Sequence, residues 1–152
     1  MKYRFADKND ISLLMDIRLE MLKDVNSLPK NFKFSDEFAE NCRRYFENGN
    51  HATVIAYDGN KITGCASICF MEVMPTFSHP TGKRAHIMNV YTNPDYRRKG
   101  IAKHMLEMLI SAAEQYGATE LSLDATPEGR FLYQSAGFKA SDECMTMVLE
   151  NE

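Results

Sequence analysis

The stretch from Val90 to Tyr116 restricts the possible folds more than any other part of the chain. It leads from a β-patterned segment ended by Asn93-Pro94, through the basic turn Arg97-Arg98-Lys99-Gly100, into a long amphipathic segment. Ile101, Met105, Met108, Leu109, Ala112 and Tyr116 form one apolar stripe at helical spacing, and Gly117 stands where a glycine commonly ends a helix. A helix with a single apolar stripe must cover an apolar surface, and the strand just before it makes that surface a sheet. Leu121 and Leu123 alternate in a strand directly after the helix. A strand–helix–strand crossover from Ala85 to Leu123 is therefore expected to be parallel and right-handed.

Upstream the pattern is rich in hairpin signals. Residues 2–6 read as a short strand, after which Ile11, Leu14, Met15, Leu22 and Val25 mark an amphipathic helix. Periodicity is lost over 28–34, which contains Pro29, and returns over 36–46 through Phe38, Ala39, Cys42 and Tyr45 or Phe46. Segments 51–57 and 62–74 are strand-like and joined by Asp58-Gly59-Asn60, a turn suited to an antiparallel hairpin. Pro75, Pro80 and Gly82 mark a loop before the strand over 85–92. Past the crossover, 128–135 reads as a short helix and 145–149 as a strand that closes the sheet. The expected order is β-α-α-β-β-β-α-β-α-β, an α/β chain with an α+β mixed central sheet flanked by helices. With 152 residues, no repeat and no Pro/Gly/Ser-rich linker, residues 1–152 form one domain.

Charge and cysteine usage exclude several partners. A net charge of −3 gives no overall electrostatic case for nucleic acid or anionic lipid. No apolar run approaches the roughly 20 residues that span a bilayer, and the N-terminus is interrupted by charges, so a cytoplasmic location is expected. Cys42, Cys65, Cys69 and Cys144 contain no C-x-x-C pair, and His51, His79, His86 and His104 add no ligand cluster, so no metal is expected.

The basic turn is where chemistry is expected. The first turn of a helix leaves backbone N–H groups unpaired and carries partial positive charge, which suits an anion such as pyrophosphate. Gly100 and Ala102 keep the backbone approachable, while Arg97, Arg98 and Lys99 add full charges. A solvated turn opening an ordinary helix is the plainer reading of the same residues. Neither the P-loop pattern nor G-x-G-x-x-G is present, so nucleotide hydrolysis and dinucleotide binding lack their glycines.

Arg97-x-x-Gly100-x-Ala102, following a strand and Pro94-Asp95-Tyr96, is similar to the acetyl-CoA-binding signature of the GNAT N-acetyltransferase superfamily. Leu132-Tyr133-Gln134-Ser135-Ala136-Gly137-Phe138 resembles that family's second signature, LYxxxGF, at the expected distance downstream. The resemblance covers most of the chain. It implies the acyl-CoA N-acyltransferase fold and transfer of acetyl from acetyl-CoA, a cosubstrate, to a primary amine by direct attack in a ternary complex. It further implies that Arg97, Arg98, Lys99, Gly100, Ile101 and Ala102 surround the pyrophosphate. Main-chain groups of Val90 and Thr92 would hold pantetheine where their strand parts from the next, with a local bulge aiming them.

By the same resemblance, Tyr133 is the general acid toward the departing sulfur, with an aromatic packing role as the alternative. His86 aligns with a glutamate base of the branch that acetylates histones; ordered water and Glu72 are the other routes for the amine proton. Thr126 stands where many relatives carry asparagine, and either reaches the coenzyme arm or caps the following helix. Arg130 is either a phosphate or substrate contact or a surface residue. The acceptor would be selected by 28–38 and 74–83, with Phe32, Phe34, Phe38 and Phe77 as an apolar wall and Asp36, Glu37 and Glu40 attracting an ammonium; core packing is the plainer reading of these residues. A small-molecule amine, an amino acid, a polyamine and a protein N-terminus are all compatible, as is a homodimer. A catalytically silent coenzyme-A-binding sensor of the same fold is the alternative function.

Overall fold

Local chemistry sets the ends of the elements in the computed structural model, which describes residues 1–150. After strand β1 (Lys2–Phe5), the carboxylate of Asp10 closes a capping box with Asp7, accepting from the Asp7 N–H at 2.8 Å. It also takes two bonds from the Arg4 guanidinium, at 2.7 and 2.9 Å, which ties β1 to the start of helix α1 (Ile11–Val25). Helix α2 (Asp36–Asn48) is capped by Ser35, whose hydroxyl accepts from the Phe38 N–H. Strands β2 (His51–Asp58) and β3 (Lys61–Glu72) meet in a hairpin through Gly59, at φ 59°. Strand β4 (Lys83–Thr92) leads into helix α3 (Ile101–Tyr116), which ends on Gly117 at φ 86°. Strand β5 (Glu120–Leu123) and helix α4 (Arg130–Ser135) follow.

The sheet has the order β1-β2-β3-β4-β5, antiparallel through β4 and parallel between β4 and β5. This is the expected mixed sheet with its parallel crossover. One face, carrying Val54, Ala56, Ala66, Ile68, Ala85 and Ile87, packs on Ile101, Met105, Leu106, Leu109 and Ala113 of α3. The alternating residues Thr53, Ile55, Cys65 and Ser67 are buried on the opposite face, where Leu14, Met15 and Met21 of α1 supply apolar cover. Each fully buried aliphatic side chain of such a core contributes roughly 1.5–3 kcal/mol. No described helix is long and apolar enough to cross a membrane.

The expected closing strand over 145–149 is absent. That segment pairs with nothing among the described residues, and Met145, Met147, Val148 and Leu149 are 92, 82, 89 and 77 % exposed. Alternation of apolar residues is necessary for a half-buried strand but supplies no partner. The polar stretch 139–144 offers no glycine or proline turn to fold the tail back onto an edge.

Candidate active site

The site grows out of two irregularities in β4. Pairing with β5 runs from Arg84–Glu120 to Ile87–Leu123 and stops, so 88–92 have no parallel neighbour. At the same place β4 bulges away from β3: Met88 opposes Ser67 and Tyr91 opposes Cys65, leaving Asn89 and Val90 opposite the single residue Ala66. Asn89 takes the left-handed conformation, φ 60°, which asparagine tolerates better than most residues. The extra residue keeps Asn89 on the same face as Ser67. There its amide nitrogen donates to Ser67 Oγ at 3.1 Å, and its Oδ1 accepts from Arg18 of α1 at 3.2 Å. Val90 turns to the other face and packs against the α3 core. The result is a length of extended backbone that an elongated ligand can pair with as an added strand. Thr92 Oγ1 lies buried there without a hydrogen-bond partner among the described residues, an orphan of the kind that a ligand satisfies.

The basic turn lies at the same end of β4. Arg98 has φ 61° and Gly100 has φ 77°, and no side chain among the described residues caps α3, which leaves the first N–H groups of the helix without a capping partner there. A Cβ built on Gly100 meets nothing within 4 Å, which leaves the approach to these amides open. Arg97 folds back so that its Nε donates to the Thr92 carbonyl at 3.1 Å. Lys99 Nζ stands 4.9 Å from the centre of the Tyr96 ring. Lys61, from the β2–β3 hairpin, stands 5.1 Å from the same ring, a cation that sequence reasoning did not bring here. Ile101 is buried by its side chain, so its N–H is what it can offer; Ala102, partly buried, follows it in the first turn. Open amides, surrounding cations and an unpaired strand fit a pyrophosphate-bearing, extended ligand.

Tyr133, on α4, flanks the same core cluster as Val90 and contacts Phe138 edge-on, with ring centroids 6.1 Å apart. A Cβ on Gly129 would come within 3.1 Å of the Tyr133 ring, so glycine there lets the ring seat. The hydroxyl makes no hydrogen bond to the described residues, and burial raises its pKa above the ordinary phenol value. Of the other sequence candidates, His86 and Glu72 lie farther along their strands, whereas a Cβ on Gly129 would also come within 3.3 Å of Thr126 Oγ1, which places Thr126 near the Tyr133 ring. His86 shares a 2.7 Å hydrogen bond with Ser122 Oγ of β5, and its Nε2 is 3.8 Å from Asp124. It lies three residues before Asn89, roughly 10 Å along the strand. Glu72 is six residues beyond Ala66, roughly 20 Å away, at the exposed far end of β3. The Thr126 hydroxyl accepts from the Gly129 N–H at 3.2 Å, a local turn bond, and Arg130 is exposed.

Beside the bulge, on the α1 and α2 side, is a cavity of about 320 Å³ bounded by Tyr45 and Phe46 of α2, Arg18 of α1, and Cys69, Met88 and Asn89 of the sheet. Phe34 packs edge-on against Phe32 and tilted against Phe38 instead, and Phe77 is fully exposed, so none of the four lines this cavity. Asp36, Glu37 and Glu40 do not line it either. Burial pushes the Cys65 thiol, behind the bulge, up to about 12, which makes it inert near neutrality. Sequence reasoning missed Arg18 and Asn89; the available signal was an asparagine in the middle of an apolar β pattern, where that residue type is disfavoured.

A mixed sheet whose parallel neighbours part beside an uncapped, glycine-opened helix start defines an acyl-CoA acetyltransferase architecture. The acetyltransferase (GNAT) family model matches residues 19–138, and the chain belongs to that family. A protein described as a predicted acetyltransferase from Clostridium acetobutylicum, solved with acetyl-CoA, is 34 % identical with a TM-score of 0.86, covering 97 % of this chain and 95 % of that one. A GCN5-related N-acetyltransferase from Ralstonia eutropha shares the fold at 21 % identity and TM-score 0.79, over 97 % of each chain. An aminoglycoside N(6')-acetyltransferase type 1 from Acinetobacter genomosp. 13 is 32 % identical over 80 residues, 51 % of this chain and 53 % of that protein. The chain spans about half the length of the curated relatives it matches.

Proposed function

We propose that this protein is an acetyl-CoA-dependent N-acetyltransferase of the cytoplasm that acetylates a primary amine by direct attack in a ternary complex. The observation that carries this reading is the unpaired, bulged end of β4 set against the open first turn of α3. Ile101 and Ala102 N–H groups would meet the pyrophosphate with Arg97, Arg98 and Lys99 around it, and the backbone of Val90 and Thr92 would hold the pantetheine arm. The thioester carbonyl then lies at the bulge. As the amine nitrogen bonds to the acetyl carbon, the carbon–sulfur bond breaks. The amine loses a proton to His86 or, given the distance, to water that His86 orders. Tyr133, a phenol protonated at neutrality and made a weaker acid by burial, supplies a proton to the departing sulfur. Thr126 lies on the loop after β5, within the same half of the molecule, as a contact for the coenzyme arm. The likeness to a protein solved with acetyl-CoA supports the choice of cosubstrate.

The test is release of free thiol from acetyl-CoA over a panel of amines, run beside calorimetric titration with acetyl-CoA. Binding with amine-dependent thiol release is expected. Binding with no release for any amine class would replace the enzyme by the coenzyme-A sensor, and absence of binding would end both readings.

A further inference from the structure

The cavity beside the bulge has one-sided chemistry. Tyr45, Phe46 and Met88 give it apolar walls, and at about 320 Å³ it is at the small end of ligand pockets, sized for a single ring or a branched chain. Among the described residues its lining contains no Asp, Glu or Lys, and Arg18 is the one permanently charged residue there. The Arg18 guanidinium makes one hydrogen bond, to the neutral amide oxygen of Asn89, and no ion pair among the described residues. Most of its five donors are therefore free for an anion. Their position matters as much as their charge. Because Arg18 touches Asn89, a carboxylate bound to it lies within a few ångströms of the bulge at which the acetyl group would be presented, roughly the spacing across one tetrahedral carbon.

We propose, resting on the acetyltransferase reading, that this cavity is the acceptor site and takes an apolar α-amino acid. The carboxylate pairs with Arg18, the α-amine faces the bulge, and the side chain fills the space between Tyr45, Phe46 and Met88. Polycationic amino sugars, substrates by name of one relative, meet an unpaired cation here and no carboxylate. A second cavity, on the other flank of α1, does carry Asp16 and Glu20, with Tyr91 and Asn93. It lies past the bulge, toward the basic turn, where the coenzyme rather than the acceptor is expected.

The experiment compares L-phenylalanine, phenethylamine and kanamycin as acceptors with the wild type and Arg18→Gln. Phenethylamine keeps the ring and amine and lacks only the carboxylate. In the wild type, kcat/KM for phenylalanine should exceed that for phenethylamine by on the order of 10–100-fold, the weight of a charge-assisted pair. In Arg18→Gln that ratio should fall toward one, and the wild-type comparison stands even if the variant folds poorly. Equal rates for the two in the wild type, an unchanged ratio in the variant, or preferred turnover of kanamycin would overturn the proposal. If no amine is acetylated, 3-phenylpropionate, a non-reactive carboxylate of the same shape, separates the two readings. Its binding by calorimetry to the wild type but not to Arg18→Gln would keep the cavity assignment while the enzyme reading falls; no binding would end the assignment itself.

Discussion

The Tyr133 hydroxyl sits on a half-buried ring, has no hydrogen-bond partner among the described residues, and is a phenol, protonated at neutral pH, whose pKa burial raises further. Replacing it by phenylalanine retains the ring, its edge-on contact with Phe138 and nearly all its volume. Tyr133→Phe should lower kcat by on the order of 10²-fold while leaving acetyl-CoA affinity unchanged, since a thiol of ordinary pKa leaves tolerably even without a donated proton. Steady-state kinetics with a melting curve check this; an effect confined to KM would mean lost uniform binding. Wild-type kcat in a folded variant would return Tyr133 to a packing role. The sequence could nominate Tyr133 from its signature, because the motif is contiguous. Arg18 was not, because its contact with Asn89 spans 71 residues of chain and no local pattern encodes it.

At the scale of elements, the start of α3 is open because Gly100, at a φ of 77° that favours glycine, puts no side chain into the free space before the helix. Gly100→Ala adds backbone strain of about 1–2 kcal/mol but a small side chain. Gly100→Glu adds the same strain together with a carboxylate facing the phosphate position. Calorimetry should find acetyl-CoA affinity largely retained in the first and lost in the second. Equal affinities would remove the phosphate site from this turn. The junction of β1 and α1 has a different determinant. The Arg4 guanidinium and the Asp7 N–H hold the Asp10 carboxyl down at about 2, from an ordinary value of 3.8. A lowered folded-state pKa stabilises the protein above the unfolded value, and that contribution disappears as pH falls from about 4 toward 2. Asp10→Asn should therefore cost about 1–2 kcal/mol at pH 7, after discounting for solvent at the 42 % exposed Arg4 side chain, and should flatten the acid limb of a stability–pH curve. Denaturant titrations at pH 7 and pH 2.5 measure both effects.

For the whole molecule, cooperativity should follow the two cores. Strands β2 and β3 are central in the sheet and covered on both faces, whereas 145–149 is exposed and unpaired. Amides of β2 and β3 should exchange with solvent only on global unfolding, and those of 145–149 within seconds, in a hydrogen-exchange experiment on the isolated chain. Strong protection of the tail would mean that another surface covers it.

Taken alone, the sequence determined the elements through α4 and marked the basic turn as an anion-binding candidate, because helix periodicity, strand alternation, glycine stops and signature motifs are written over a few consecutive residues. It carried the mixed sheet and the β4–α3–β5 crossover for the same reason. Three things were left to the tertiary structure. The tail over 145–149 has a strand's alternation, yet pairing needs an edge supplied by another segment. The bulge at Asn89 depends on register against β3, which no single strand specifies. The walls of the cavity beside the bulge come from α1, α2 and the sheet, and only packing puts Tyr45, Phe46 and Arg18 in that lining and leaves Phe32, Phe34, Phe38 and Phe77 outside it. Local interactions choose conformations one segment at a time, whereas a site's shape and charge arise only when distant segments are brought within contact of one another.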